Sequence, residues 1–253
     1  MCELLGISSN AQVDIEFSFK EWQRRGRRNS DGYGFAYWKG AEPKIIKDAT
    51  SLDRAKPDTI DYVRSVRSKM FVCHVRMASM GLPNQSNTHP FKARLGEKDM
   101  VFAHNGTLRS PESLQLRDHR PAGKTDSERA FLWLLEQLSE TPEAQFAQAL
   151  KAAADDLRSR DTGSFNFLLS DGGTLWARAD TSLWFIERKP PYGGQLVNLK
   201  DAGYCISLAH VKRPDERAVL VATRPLSDEP GWKQLKRGEL LWVRDGSVRR
   251  FSE

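Results

Sequence analysis

The chain has 253 residues, and its 39 Lys and Arg exceed its 33 Asp and Glu by six. With 39% hydrophobic and 28% charged residues it reads as an ordinary globular protein, long enough to bury a core without disulfides or a structural metal. No apolar run approaches the roughly 20 residues of a membrane-spanning helix, and the first residues lack the basic start and long apolar stretch of a secretory leader.

Hydrophobic periodicity predicts a mixed α and β chain. Residues 3–8 form a short apolar strand, and residues 14–23 a helix with Ile15, Phe19 and Trp22 on one stripe. A turn-rich loop, Asn29 to Gly34, leads to strands 35–39 and 44–47. A helix over 58–67 precedes a buried strand over 70–76, and another apolar strand runs from Met100 to His104 and stops at Asn105-Gly106. Helix 126–138 has a marked start, with Thr125 followed three residues later by Glu128 in the capping-box pattern. A helix over 142–159 follows, then strands near 164–170, 174–179, 183–188, 204–208, 218–222 and 239–244. The best candidate for a break is Lys189 to Gly194, but strands continue on both sides, so residues 2–253 read as one domain. Strands, two central helices and strands again suit stacked sheets with helices outside them.

Three widely spaced cysteines, at 2, 73 and 205, form neither a disulfide framework nor a metal pair and suit a reducing cytoplasm. Alternation along strand 70–76 puts Phe71, Cys73 and Val75 on one face and Val72, His74 and Arg76 on the other, which makes Cys73 core. Cys205 reads the same way. The densest basic cluster, Arg24, Arg25, Arg27 and Arg28, reads as a solvated loop, because no nucleic-acid motif or aromatic platform accompanies it. No nucleic-acid partner is expected.

Cys2 is the residue with the richest chemistry. Removal of Met1 would give it both a thiol and a free α-amine, whose pKa near 7.7–8.0 suits a general base at neutral pH. A small residue starting a strand is the plain alternative. Arg76 closes a buried strand, where a guanidinium is costly unless it meets an anion. That anion is either a substrate carboxylate or an acid of the fold. His104-Asn105-Gly106 offers amide donors to an oxyanion, or else an Asn-Gly hairpin turn. Asp126 either complements the helix dipole or fixes a substrate ammonium. His74, His89 and His104 lack the spacing of a zinc site, so no metal is expected.

In order, Cys2-Glu-Leu-Leu-Gly, Asp31-Gly-Tyr-Gly, His74-Val-Arg-Met-Ala-Ser, Asn87-Thr-His-Pro-Phe, His104-Asn-Gly and Thr125-Asp-Ser-Glu resemble the class-II glutamine amidotransferase domain, most closely its stand-alone YafJ-type members. The likeness extends through Gly163-Ser-Phe-Asn166 and more loosely to the C-terminal strands. It implies the αββα four-layer sandwich of the N-terminal nucleophile hydrolases, an α+β fold, with no cofactor. It implies Cys2 as nucleophile with its α-amine as base, and Asn105 and Gly106 as the oxyanion hole. Arg76 and Ser79 would hold the α-carboxylate of glutamine and Asp126 its α-ammonium, while His89 and His104 would shape the pocket. Family members with a second catalytic domain pass ammonia to it. Here a separate acceptor protein, or water, would take that place. The alternatives are a γ-glutamyl peptide or amide hydrolase in thiol-metabolite turnover, and a catalytically silent regulatory module. Loops 24–34 and 79–91 are expected as lids.

Overall fold

The computed structural model describes residues 2–27, 29–78, 82–194, 196–200 and 203–249. The N-terminal half builds β1 (Glu3–Val13), α1 (Glu16–Gly26), β2 (Tyr33–Lys39), β3 (Glu42–Asp48), α2 (Pro57–Ser65), β4 (Ser68–Val75), β5 (Phe91–Leu95) and β6 (Lys98–Thr107). Next come α3 (Asp126–Leu138), α4 (Phe146–Arg160), β7 (Ser164–Ser170), β8 (Thr174–Arg178) and β9 (Trp184–Arg188). The chain ends with β10 (Leu196–Asn198), β11 (Cys205–Ser207), α5 (Leu208–Val211), β12 (Ala218–Ala222), β13 (Lys233–Gln234), β14 (Leu240–Arg244) and β15 (Ser247–Arg249).

Two antiparallel sheets form the centre, one ordered β13-β9-β12-β1-β4-β2-β3 and the other β15-β14-β8-β7-β6-β5. Three apolar layers hold them. Leu5, Ile7, Phe71, Cys73 and Val75 face Phe19 and Trp22 of α1 and Val63 of α2. Leu4, Val72 and Val219 of the first sheet meet Val101, Leu168 and Leu175 of the second. Phe102, Phe165 and Phe167 meet Phe131 and Leu135 of α3 and Leu150 of α4. The result is the expected αββα sandwich, and the alternation along β4 falls as the sequence implies. Cys2, two residues before Leu4, thereby belongs to the face between the sheets.

Several expectations need correction. The strand expected to stop at His104 runs on through Asn105-Gly106, with β6 pairing Asn105 with Asn166 and Gly106 with Phe165, which excludes the alternative of a hairpin turn there. Cys205 is exposed rather than core, because β10 and β11 form a separate two-stranded ribbon that joins neither large sheet. The arginine cluster is only in part the expected solvated loop, with Arg24 and Arg27 exposed. Arg24 and Arg25 lie in α1, and Arg25 is buried, with its guanidinium bonded to Glu3, Glu21 and the carbonyls of Arg224 and Pro225. Arg28 lies outside the described residues.

Candidate active site

The register of the first sheet assembles the site. Glu3 pairs with Val75 and Leu4 with His74, so Cys2 lands beside the residues that follow β4. Met77 N donates to Cys2 Sγ at 3.2 Å, and Sγ lies 3.3 Å from Met77 O. Burial pushes the thiol pKa up, while the Met77 backbone and the Arg76 charge pull it down.

Arg76 is 3% exposed. Its backbone locks onto the preceding loop, donating to Gly32 O at 2.7 Å and accepting from Asp31 N at 3.1 Å. Its Nη1 donates to Asp31 O at 3.4 Å, and Asp31 Oδ2 accepts from Ala78 N at 2.7 Å. Burial lowers the guanidinium pKa, opposed by Cys2, Asp31 and Asp126. The sequence reading used Asp31 only as part of a turn. Its backbone instead holds Arg76 and its carboxylate takes the N–H of Ala78 two residues on.

Across the cavity stands α3. Thr125 caps it, its Oγ1 accepting from Glu128 N at 3.2 Å, but the other half of the capping box is replaced: the Glu128 carboxylate accepts from Ala122 N and Gly123 N. The first helical residue, Asp126, is 4% exposed, and its Oδ2 accepts from Leu108 N at 2.7 Å. His104 Nε2 lies 3.1 Å from the carbonyl oxygen of Ser164, which can only accept, so Nε2 carries the proton. Burial lowers the His104 pKa and keeps the ring neutral. Its bare Nδ1 then takes the Ser127 hydroxyl proton across 2.8 Å, and that hydroxyl cannot also donate to Asp126 Oδ1 at 3.3 Å. Both nitrogens of His104 are thus engaged within the fold, so it buttresses the site rather than reaching a substrate.

His89 is 4% exposed, its ring centroid 4.2 Å from that of His74 and 4.5 Å from that of Phe91. Lys47 Nζ clamps its neighbours, donating to Thr88 O at 2.7 Å and Pro90 O at 3.3 Å. A Cβ on Gly34 would collide with the His89 carbonyl oxygen, so only glycine lets this loop press onto β2. Residues 87–91 are therefore buried and clamped, and among the described residues of the expected 79–91 lid 82–86 form the exposed stretch. Ser79 lies outside the described residues.

Asn105 Nδ2 donates to the carbonyl of Cys2 at 2.7 Å and to Thr223 Oγ1 at 3.3 Å. Thr223 also accepts from Leu4 N at 2.8 Å, so one hydroxyl joins the nucleophile's strand to Asn105. No motif marks Thr223; the only sequence signal is a hydroxyl directly after the apolar run 218–222. A Cβ at Gly106 would strike the Ser164 carbonyl and come within 2.6 Å of His104 Nε2, which explains glycine there.

Cys2, Arg76, Gly106 and Asp126 line one cavity, walled by His89 and His104, of about 20 Å³. A much larger cavity of about 820 Å³, walled by Met100, Phe146, Trp176 and Trp242, shares no residue with it. The smaller one collects the buried charges, and it is the candidate site.

The sequence profile of the class-II glutamine amidotransferases matches residues 1–253. The chain is 35% identical over 248 residues to YafJ of Escherichia coli (strain K12), covering 94% of this chain and 96% of that protein. It superposes with a TM-score of 0.73 on a crystal structure from Pseudomonas aeruginosa PA01 described as a predicted glutamine amidotransferase, at 28% identity and full coverage of both chains. The fold extends to glutamine phosphoribosylpyrophosphate amidotransferase of B. subtilis, with a TM-score of 0.63 at 17% identity, over 99% of this chain and 49% of that one. The chain belongs to the class-II glutamine amidotransferases.

Proposed function

We propose that residues 2–253 form one catalytic domain that hydrolyses the γ-amide of glutamine through a γ-glutamyl thioester on Cys2, giving glutamate and ammonia. In this reading Met1 is removed and the freed α-amine takes the Cys2 thiol proton. Sγ attacks the γ-carbonyl, and the carbonyl oxygen becomes an oxyanion. The C–N bond then breaks as the ammonium returns its proton to the leaving nitrogen, and ammonia departs. Water, deprotonated by the same amine, attacks the thioester, glutamate leaves and the thiol is restored. The amine suits both proton transfers because its ordinary pKa lies near neutral pH.

The observation that carries this reading is that Cys2, Arg76 and Asp126, distant in sequence, share one small cavity. Arg76 supplies a desolvated fork for the α-carboxylate, and Asp126 Oδ1, which receives no proton from Ser127, accepts the α-ammonium. The Asn105 amide exchanges the longer of its two bonds, at 3.3 Å to Thr223, for the oxyanion, with Gly106 beside it. A cavity of about 20 Å³ admits one water, far below the roughly 300 Å³ of a small-ligand pocket. Water accepts the glutamyl group, and the ammonia is released to solvent or passes to a separate protein.

Steady-state release of glutamate and ammonia from glutamine, compared between wild type and Cys2→Ala, tests the proposal. One-to-one release that vanishes in Cys2→Ala is expected; activity that survives the substitution overturns it. A parallel panel of γ-glutamyl peptides ranks leaving groups by kcat/KM, with glutamine expected first.

A further inference from the structure

Asn166 is a buried polar residue, 2% exposed, that the mechanism above does not use. It sits on β7 directly opposite Asn105. Its amide is fully engaged. Nδ2 donates to the Asn105 carbonyl at 2.9 Å and to Thr181 Oγ1 at 2.8 Å. Oδ1 accepts from the backbone N–H groups of Asp180, Thr181 and Ser182 at 2.9, 2.9 and 3.2 Å. Ser182 Oγ in turn donates to Thr223 O at 3.0 Å, and Thr223 Oγ1 holds the Asn105 side-chain amide. Asn105 is thus gripped at its backbone by Asn166 and at its side chain by Thr223, and the turn at 180–182 ties both grips together. This polar circuit also joins β7 of one sheet to β12 of the other beside Cys2.

We infer that Asn166 is a positioning residue for the reaction: its Nδ2–H on the Asn105 carbonyl sets the strand segment that carries the oxyanion donors Asn105 and Gly106. This rests on the oxyanion role proposed above for Asn105. A buried amide that satisfies five bonds is a rigid coupling, and a misplacement of about 1 Å at a reacting centre costs up to about 100-fold in rate. Two functions of the amide are separable. Its oxygen caps the 180–182 turn, which is structural, and its nitrogen reaches Asn105, which is catalytic in effect.

Asn166→Asp separates them, because it keeps the oxygen that caps the turn and removes the N–H donated to Asn105. The expected result is a folded protein with kcat for glutamine lowered about 10- to 100-fold and KM within about 2-fold of wild type, since Arg76 and Asp126 stand on other elements. Thr181→Val, at an exposed position, loosens the same amide from its far side and is expected to lower kcat about 3-fold, again without a change in KM. Unchanged kcat in Asn166→Asp overturns the inference. Should that variant not fold, unchanged kcat in Thr181→Val overturns it instead. Asn105→Ala separates the two levels: unchanged kcat there defeats the oxyanion reading itself, whereas a drop confined to Asn105→Ala defeats only the role of Asn166.

Discussion

Strand β6 and helix α3 each run from one cavity to another. At one end Gly106 and Asp126 border the cavity of about 20 Å³ beside Cys2; at the other Met100 and Leu138 border the cavity of about 820 Å³. The large cavity is walled by aromatic rings, with Phe146 and Trp176 centroids 4.7 Å apart and Trp176 paired across strands with Trp242. Around the small one, Arg76, His89, His104 and Asp126 are all at most 4% exposed. Volume therefore points one way and chemistry the other. Desolvated charged and polar groups are costly to hold, so the charges of Arg76 and Asp126 and two neutral imidazoles converging on a thiol identify the working end better than empty space does.

The comparison can be broken from either end. Trp176→Ala is expected to cost about 3–5 kcal/mol of stability, as loss of a large core ring does, while leaving kcat/KM for glutamine within about 2-fold. Chemical unfolding and steady-state kinetics on the same sample check this, and loss of activity in a folded Trp176→Ala protein would show that the two ends are coupled.

In the last turn of α3, burial alone would raise the Glu136 pKa. Backbone N–H bonds from Arg117, His119 and Asp118 instead bring it down to about 2. Against an unfolded value of about 4.3, the difference is worth about 3 kcal/mol. A depressed carboxyl stabilises above its unfolded pKa and loses that contribution as pH falls toward the folded one. Glu136→Gln should therefore be less stable than wild type by about 3 kcal/mol at pH 7, and the gap should close between about pH 4.3 and 2 in urea titrations.

At the working end the expected signature is reversed. Arg76→Met should lower kcat/KM about 100-fold, mainly through KM, because a charged fork to a carboxylate is worth about 1.5–3 kcal/mol. A loss confined to kcat would move Arg76 away from substrate binding. A second pH signature belongs to His74, held down to about 3 by burial and by the nearby His104 and Arg76. Its neutral form contributes stability above its unfolded pKa of about 6.5, lost as pH falls toward 3. The slope is about 1.4 kcal/mol per pH unit, and His74→Gln should flatten it by one proton.

The sequence carried local signals well and long-range ones poorly. Helix α3 was readable to the residue because Thr125 supplies a cap whose partner is three positions away. The face of Cys73, opposite to His74 and Arg76, followed from alternation alone. The end of β6 was misplaced at His104 because Asn105-Gly106 carries a local turn preference, which the pairing of β6 with β7 overrides. The burial of Arg25 depended on Glu3 and on carbonyls some 200 positions away, which no window contains. Strands β10, β13 and β15, of two or three residues, are too short to show a period. Within the site, Cys2, Arg76 and Asp126 were found through ordered motifs, whereas Thr223 and Asn166 act through hydrogen bonds that only the folded chain creates.

The central claim is that Cys2, freed of Met1, carries the reactive thiol beside Arg76 and Asp126. Incubation with a glutamine-mimicking electrophile, followed by peptide mapping in a mass spectrometer, tests it most directly. The account predicts one adduct, on a chain beginning at Cys2, with labelling slowed by glutamine and by Arg76→Met. An adduct on Cys73 or Cys205, or a mature chain that retains Met1, would contradict it.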